Sequence, residues 1–307
     1  MSDMKYSVVV PVYNAENSLQ LLNKSILDFF DSIKEQFEII YINDCSSDKS
    51  WDVLKEIQKQ TKHITIVNFN KNFGQHASTM CGFKHAKGEF IVTLDDDLEA
   101  HPTEISKLIA AQNKNQSDLV YGVYQKINQS FLRKSLTSFY KLISKVEGKN
   151  KGKGSSFRLL KNSLAKKLSS HHNQFVFIDE ILLWYTSKIE FVKTEPNKHF
   201  IDKKRYSIVS LFSLTTNVIL FSSSFPLKLV TRLGFYLSIT NFSIGMFYLI
   251  KKLFFKTSAS GYTSLIVSIL FSTGLIIFCI GIIAQYLAQM LKSINNAPSY
   301  SEDEIIC

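Results

Sequence analysis

Phe90-Ile91-Val92-Thr93-Leu94-Asp95-Asp96-Asp97 is an apolar, partly β-branched run that ends in three consecutive carboxylates. Such a run reads as a buried strand that delivers acidic groups to the carboxyl edge of a sheet. In open α/β sheets that edge is where ligands bind. Carboxylates packed this tightly repel one another, and a bound hard cation such as Mg2+ or Mn2+ is the usual remedy. A divalent cation at a sheet edge most often holds phosphates. The competing reading is a solvated acidic loop.

The segments around it favour the first reading. Ser7 to Val12 reads as a strand, Asn17 to Lys34 as a helix, and Phe37 to Ile42 as a second strand. Asp48 stands where a helix through Gln60 needs its N-cap. Ile64 to Phe69 is a third strand, Gln75 to Ala86 a helix, and Pro102 suits the first turn of another helix before a strand at Asp118 to Gly122. Strands alternating with helices imply right-handed βαβ units and a doubly wound, mainly parallel sheet. Four polar strand-end loops then gather at one edge: Pro11-Val12-Tyr13-Asn14, Asn43-Asp44-Cys45-Ser46-Ser47-Asp48, Asn70 to Gln75, and the aspartate triplet.

These loops suit a nucleotide diphosphate. Tyr13 can stack on a base or simply pack. Asp44 can accept hydrogen bonds from base or ribose, or serve only as a turn residue. Alternation along an extended segment places Asp95, Asp97 and Glu99 on one side and Asp96 on the other. The metal shell is therefore expected to be Asp97 with Glu99 or Asp95, with Asp95 also facing ribose. Asp96 has the least defined role.

Composition shifts beyond Lys204. Leu233 to Ile250 and Thr263 to Leu291 are each long enough to cross a hydrocarbon core of roughly 30 Å. Tyr206 to Phe225 mixes apolar residues with Ser and Thr, as interfacial helices do. The expected organisation is a cytosolic catalytic domain (1–204), interfacial amphipathic helices (205–230), a transmembrane hairpin (231–292, with spans near 233–251 and 263–290) and a polar tail (293–307). Lys203, Lys204, Arg205, Lys228, Arg232 and Lys292 favour cytosolic ends, whereas Lys251, Lys252 and Lys256 in the connecting loop pull the other way. No signal peptide is read at the start, so the catalytic part is expected on the cytosolic side of the cell inner (cytoplasmic) membrane.

The net charge of +10, from 36 basic and 26 acidic residues, suits anionic partners. The basic residues cluster beside apolar spans rather than among aromatic patches, which argues against nucleic acid. Cys45, Cys81, Cys279 and Cys307 form no CxxC pair, which argues against a zinc site or a disulfide framework. Neither Trp51 nor Trp184 lies in the Gln-x-x-Arg-Trp pattern of processive polysaccharide synthases.

Pro-Val-Tyr-Asn after the first strand, Asn-Asp-x-Ser-Ser-Asp after the second, Asn-x-Asn-Phe-Gly-Gln-His after the third and Asp-Asp-Asp-Leu-Glu after the fourth resemble a family 2 glycosyltransferase of GT-A (Rossmann-like) fold. With Arg133 before a helix, Ser155-Ser156-Phe157-Arg158-Leu159, Arg205-Tyr206-Ser207 and the terminal apolar pair, the chain resembles the polyprenyl-phosphate branch in particular. That resemblance implies a membrane enzyme that moves one sugar, with inversion, from a nucleotide sugar to a polyprenyl (undecaprenyl) phosphate. It implies Pro11, Tyr13, Asn14, Asp44 and Asp95 on the nucleotide, and Asp97 and Glu99 on Mg2+ or Mn2+. It also implies Arg133 and Arg158 near the phosphates as catalytic groups beside Asp95 and Asp97. Lys203, Lys204 and Arg205 could draw the lipid phosphate to the membrane face. A homo-oligomer is compatible with such an enzyme, and cell-envelope glycan or lipopolysaccharide modification is the process it would serve. A lipid-linked saccharide acceptor and a non-catalytic membrane scaffold are the alternatives.

The chain departs from that family pattern in places. Ala15 precedes Glu16 where relatives carry Glu directly, Asn43 and Cys45 replace acidic and glycine positions, and Glu99 stands where Gln is common. Lys151 and Lys153 occupy the region of an acidic residue, and His199 and Asp202 that of an Arg and Gly.

Overall fold

The computed structural model describes residues 4–124, 154–169, 178–197, 262–294 and 300–307, with scattered positions between 230 and 254. They fall into two compact units. The first holds an eight-stranded sheet and its helices.

β1 (Tyr6–Val12), β2 (Phe37–Asn43), β3 (Ile64–Phe69) and β4 (Phe90–Thr93) form its parallel heart, in the spatial order β3-β2-β1-β4. Every residue of β1 is buried, which fits a strand covered on both faces. Its alternation feeds two cores. Val8, Val10 and Val12 meet Leu22 and Ile26 of α1 (Leu19–Ile33), Leu54 of α2 (Ser50–Gln60) and Leu108 of α4 (Ile105–Asn115) in one cluster. Val9 belongs to the other, with Phe83 of α3 (Gln75–His85), Leu164 of α5 (Asn162–Ser169) and Ile181 of α6 (Ile178–Tyr185). Helices on both sheet faces are the doubly wound arrangement expected from the alternation.

The far side of the sheet is less regular. β5 (Leu119–Tyr124) pairs antiparallel with β6 (Arg158–Lys161) and parallel with β7 (Ile189–Thr194), while β6 pairs antiparallel with β4. At the opposite edge β8 (Glu302–Ile306) runs antiparallel to β3. The sheet is therefore mixed, with antiparallel pairs at β3/β8, β4/β6 and β5/β6. The expected polar tail is corrected in the same way, because its last residues form an edge strand. Its neighbour Tyr300 stacks on Phe69 at a ring-centroid distance of 5.4 Å.

α3 lies close to the sheet because Gly82 allows it. A Cβ at Gly82 would sit 2.2 Å from Val9 Cγ1 and 2.9 Å from Ile42 Cδ1. Gly82→Val is expected to destabilise this unit by about 1–3 kcal/mol, the usual range for overpacking. The check is a denaturant midpoint followed through Trp51 fluorescence; an unchanged midpoint would show that the helix moves off the sheet without cost.

The second unit includes α7 (Tyr262–Ile294), a helix of 33 residues. Among the described residues no helix is long and apolar enough to cross a membrane. The side chains of α7 are described at only part of its length, and 233–251 is described only at scattered positions. The described side chains of α7 include Ile276, Ile277, Phe278 and Ile280, all exposed. At about 100° per residue these four fall at about 0°, 100°, 200° and 40°, and Met290, also exposed, falls at about 320°, so exposed apolar side chains are spread around the helix. The expected interfacial segment 205–230 lies outside the described residues except for its last position, Val230.

Candidate active site

The order β3-β2-β1-β4 reverses its direction of growth between β1 and β4. That switch point opens a crevice at the carboxyl ends of the strands. The loops after β1 and β4 flank it, and the structure ties them together through Asp96. The Tyr13 N–H donates to Asp96 Oδ2 at 2.8 Å, and Ser18 Oγ donates to the Asp96 carbonyl at 2.6 Å. The middle carboxylate of the triplet, left without a clear role by alternation, is the fastener across the crevice. Its signal in the sequence was only its place between two better-understood neighbours.

Fixed by that contact, the Tyr13 ring stands 51% exposed at the crevice. Asn14 follows in the left-handed region, with φ 53°. Its Oδ1 accepts from the Ser47 N–H at 2.9 Å and from Ser47 Oγ at 3.2 Å, and its own N–H donates to Ser46 Oγ at 3.0 Å. Asn14, expected on the nucleotide, is thus engaged in shaping the first two loops. Glu16 joins them again by accepting from the Lys49 N–H at 2.9 Å, while Asp48 accepts from the Glu16 and Ser50 N–H groups. Pro11 is buried within β1.

Asp44 is buried, at 3% exposure, and its two oxygens accept the Phe73 and Gly74 N–H groups at 2.7 and 2.8 Å. Burial raises its carboxyl above the ordinary range, and those two amides pull it partly back. Gly74 sits at φ +90°, a conformation favouring glycine, and starts α3 directly afterwards. Asp44 therefore orders the third loop from below, with remaining lone pairs facing its surroundings.

Asp95 is held between the third strand-end loop, which the sequence places at the same edge, and the segment before β6. Gln75 Nε2, at the start of α3, donates to Oδ1, and Ser156 Oγ, just before β6, donates to Oδ2, each at 2.5 Å. Its carboxyl is pushed up to about 6, first by burial and then by the charges of Asp97 and Glu99, with Ser156 and Arg158 opposing. Asp97 Oδ1 accepts the Glu99 N–H at 3.0 Å, turning the chain through Leu98 at φ 57°. A carboxylate whose charge is opposed by two acidic neighbours gains from a cation. Asp95, Asp97 and Glu99 do not close as a trio to within the 4.8 Å that marks the other acidic cluster of the described residues. A Mg2+-type ion does not require three, since one or two carboxylates plus substrate phosphates commonly complete its shell. The donor set fits a hard divalent cation.

Arg158 does not stand open in the crevice. Its side chain is 4% exposed, Nη1 pairs with Asp179 Oδ1 at 2.5 Å, and Nε donates to Thr93 Oγ1 at 3.2 Å. Tyr121 OH donates to the same Asp179 oxygen at 2.8 Å. Arg158, expected near the phosphates, is held in a largely buried ion pair with Asp179, from which the guanidinium opposes the upward shift at Asp95. Arg133, Lys203, Lys204 and Arg205 lie outside the described residues, as do Lys151, Lys153, His199 and Asp202.

An open α/β sheet with an aromatic and an acidic loop facing each other at its switch point defines a ligand-binding enzyme fold of GT-A type. Residues 7–175, just over half of the chain, match the family model described as Glycosyl transferase family 2. The chain belongs to that family. Its fold is similar to that of glucosyl-3-phosphoglycerate synthase from Mycobacterium tuberculosis. In the complex with uridine diphosphate the TM-score is 0.52, at 16% identity over 71% of this chain and 78% of that one. The complex of the same enzyme with Mn2+, UDP-glucose and phosphoglyceric acid gives 0.51, 17%, 71% and 78%. The S. aureus TarS 1–349 structure matches at 17% identity and a TM-score of 0.44 over 63% of this chain; the match spans 59% of that chain, less than two thirds of its length.

Proposed function

We propose that this glycosyltransferase moves a single sugar, with inversion, from a nucleotide sugar to a polyprenyl phosphate at the cytosolic face of the cell's inner membrane. The observation that carries the acceptor is α7. Apolar side chains exposed around a helix of 33 residues, about 50 Å long, are costly in water and at home in lipid. An enzyme held at lipid meets acceptors whose reactive group lies at the bilayer surface. The two-helix hairpin belongs to this proposal.

On the donor side, Tyr13 offers an exposed ring for a base, with Pro11 and Asp44 supporting the first three loops from below. Asp95 faces ribose, and Asp97 with Glu99, or with Asp95, holds the cation. When bound, that cation supplies Lewis-acid stabilisation of the departing diphosphate. The acceptor needs no general base, because a phosphate monoester is largely dianionic near neutral pH, with a second pKa of about 6. Its oxygen attacks the anomeric carbon from the face opposite the diphosphate. The new C–O bond forms as the bond to the diphosphate breaks, and the electron pair leaves with the diphosphate. The protein's task is then positioning and charge stabilisation. Arg133, Lys203, Lys204 and Arg205 are the residues proposed to meet the acceptor phosphate.

The test offers the detergent-purified chain a panel of nucleotide sugars, a polyprenyl phosphate, and Mn2+ or Mg2+. The expected product is a lipid monophosphate sugar that forms only with metal. Transfer solely to a preformed lipid-linked glycan would replace the acceptor assignment, and absence of metal or nucleotide binding would favour a scaffold. Asp96→Ala releases the Tyr13 loop, a loss of a charged hydrogen bond worth about 1.5–3 kcal/mol. Steady-state kinetics should show KM for the nucleotide sugar rising about 10-fold or more, at a temperature where thermal unfolding shows the variant still folded; an unaltered KM would remove Asp96 from donor positioning.

A further inference from the structure

Cys81, His85 and Glu302 meet at a place the donor site does not use. Cys81 and His85 lie one turn apart on the same face of α3, and Glu302 comes from β8, 217 residues beyond His85. Their ligand atoms lie within 4.8 Å of one another. His85 is ten residues from Gln75, about 15 Å along the helix from the end that touches Asp95.

In the described arrangement one oxygen, Glu302 Oε1, holds the cluster together. Cys81 Sγ donates to it at 3.5 Å, His85 Nε2 lies at 3.1 Å, and Lys84 Nζ at 3.2 Å. The two separations from Glu302 Oε1 to Cys81 Sγ and His85 Nε2 match edges of a coordination tetrahedron, and the Cys81–His85 pair closes to within 4.8 Å. Bonds of about 2.3 Å to sulfur and about 2.0 Å to oxygen or nitrogen give edges of about 3.5 Å for S···O and about 3.3 Å for N···O. The cluster has one soft thiolate donor, one imidazole and one carboxylate, the mixture that suits Zn2+ rather than Mg2+. Cys81 is buried, whereas the His85 and Glu302 side chains are 22% and 20% exposed, which leaves a water-accessible side for a fourth ligand.

We propose that Cys81, His85 and Glu302 form a Zn2+ site that fastens the C-terminal strand β8 to helix α3. Burial and the Glu302 charge keep Cys81 as a thiol while no cation is bound. On binding, the thiol proton passes to solvent, the S–Zn bond forms from the thiolate electron pair, and no redox change occurs. Lys84, 56% exposed, swings from Glu302 into water as the divalent charge takes its place. Because metal binding free energy is also folding free energy, the ion would hold β8 against β3. The scattered cysteines hide this site in the sequence, since the third ligand stands so far from the other two.

The experiment uses the full chain in detergent, stripped of metal by a chelator and titrated with Co2+. The expected result is a near-ultraviolet thiolate-to-cobalt band that grows in with one equivalent of Co2+ and that Zn2+ abolishes by displacement. Cys81→Ser should eliminate the band, and Glu302→Gln should weaken Co2+ binding by at least about 10-fold. Cys45→Ser and Asp97→Asn should leave it intact, which separates this site from the donor cation. Should Cys81→Ser fail to fold, His85→Gln, on a partly exposed residue, reads the same effect. Absence of the band, or its survival in Cys81→Ser, overturns the proposal. Faster hydrogen exchange of residues 302–306 in these variants without any cobalt band would likewise overturn it, and would leave a hydrogen-bonded clasp.

Discussion

Asp97→Asn is expected to lower sugar transfer at least about 10³-fold while leaving the protein folded. The substitution keeps an acceptor for the Glu99 N–H, now 3.0 Å from Asp97 Oδ1, so the turn through Leu98 survives. It removes a negative charge where the proposed function would hold a cation against the departing diphosphate. Loss of one electrostatic stabiliser in a preorganised site costs about 10²–10³ in rate, and loss of the cation adds to it. Initial rates across a Mn2+ titration, with thermal unfolding as control, provide the measurement. A rate within a few-fold of the parent at saturating Mn2+ would remove Asp97 from the metal shell. Glu99→Gln should have the smaller effect if Asp95 shares the cation, and the comparable one if Glu99 does.

The second large effect concerns stability. Asp179→Ala leaves Arg158 buried beside Thr93 and Tyr121, without the carboxylate it pairs with. Removing one member of a buried pair typically costs about 3–5 kcal/mol; Asp179 is itself 34% exposed, so water entering the gap places the expectation near about 3 kcal/mol. The double variant Arg158→Met/Asp179→Ala should recover part of that loss, because no uncompensated charge remains. Denaturant midpoints of the parent, both single variants and the double complete the cycle. A single Asp179→Ala variant as stable as the parent would show that the guanidinium finds other partners. A double variant weaker than the sum of the singles would assign the cost to packing instead.

The strands and the polar loops at their ends were legible in the sequence because they depend on local pattern. The runs Ser7–Val12 and Phe90–Leu94 are short, apolar and followed by polar turns, so strands and functional edge could be read together. What escaped depends on partners distant in sequence. Arg158 looks like a phosphate ligand when read alone, and only the fold brings Asp179 to it. Gln75 was placed at the same edge as Asp95, but nothing in the sequence marks Ser156 as its other partner. Asp96 was passed over because alternation describes side-chain direction but not which backbone N–H lies opposite. Glu302-Asp303-Glu304 lies in the stretch read as a polar tail (293–307), and its pairing with β3 arises from tertiary contact across more than 200 residues. The antiparallel β6 is only four residues long and gives too little periodicity to announce itself.

The return of β8 to the sheet also imposes an arithmetic on membrane topology. The chain leaves the sheet unit after β7 and is back in it at Tyr300, with α7 in between. A folded sheet occupies one compartment, so any passages through a bilayer between those points must be even in number. If α7 makes one passage, the same stretch must make another, and a reporter fused at either end of the chain should face the same side. Parity, rather than the hydropathy of any single segment, then becomes the firmest constraint on how this enzyme is threaded.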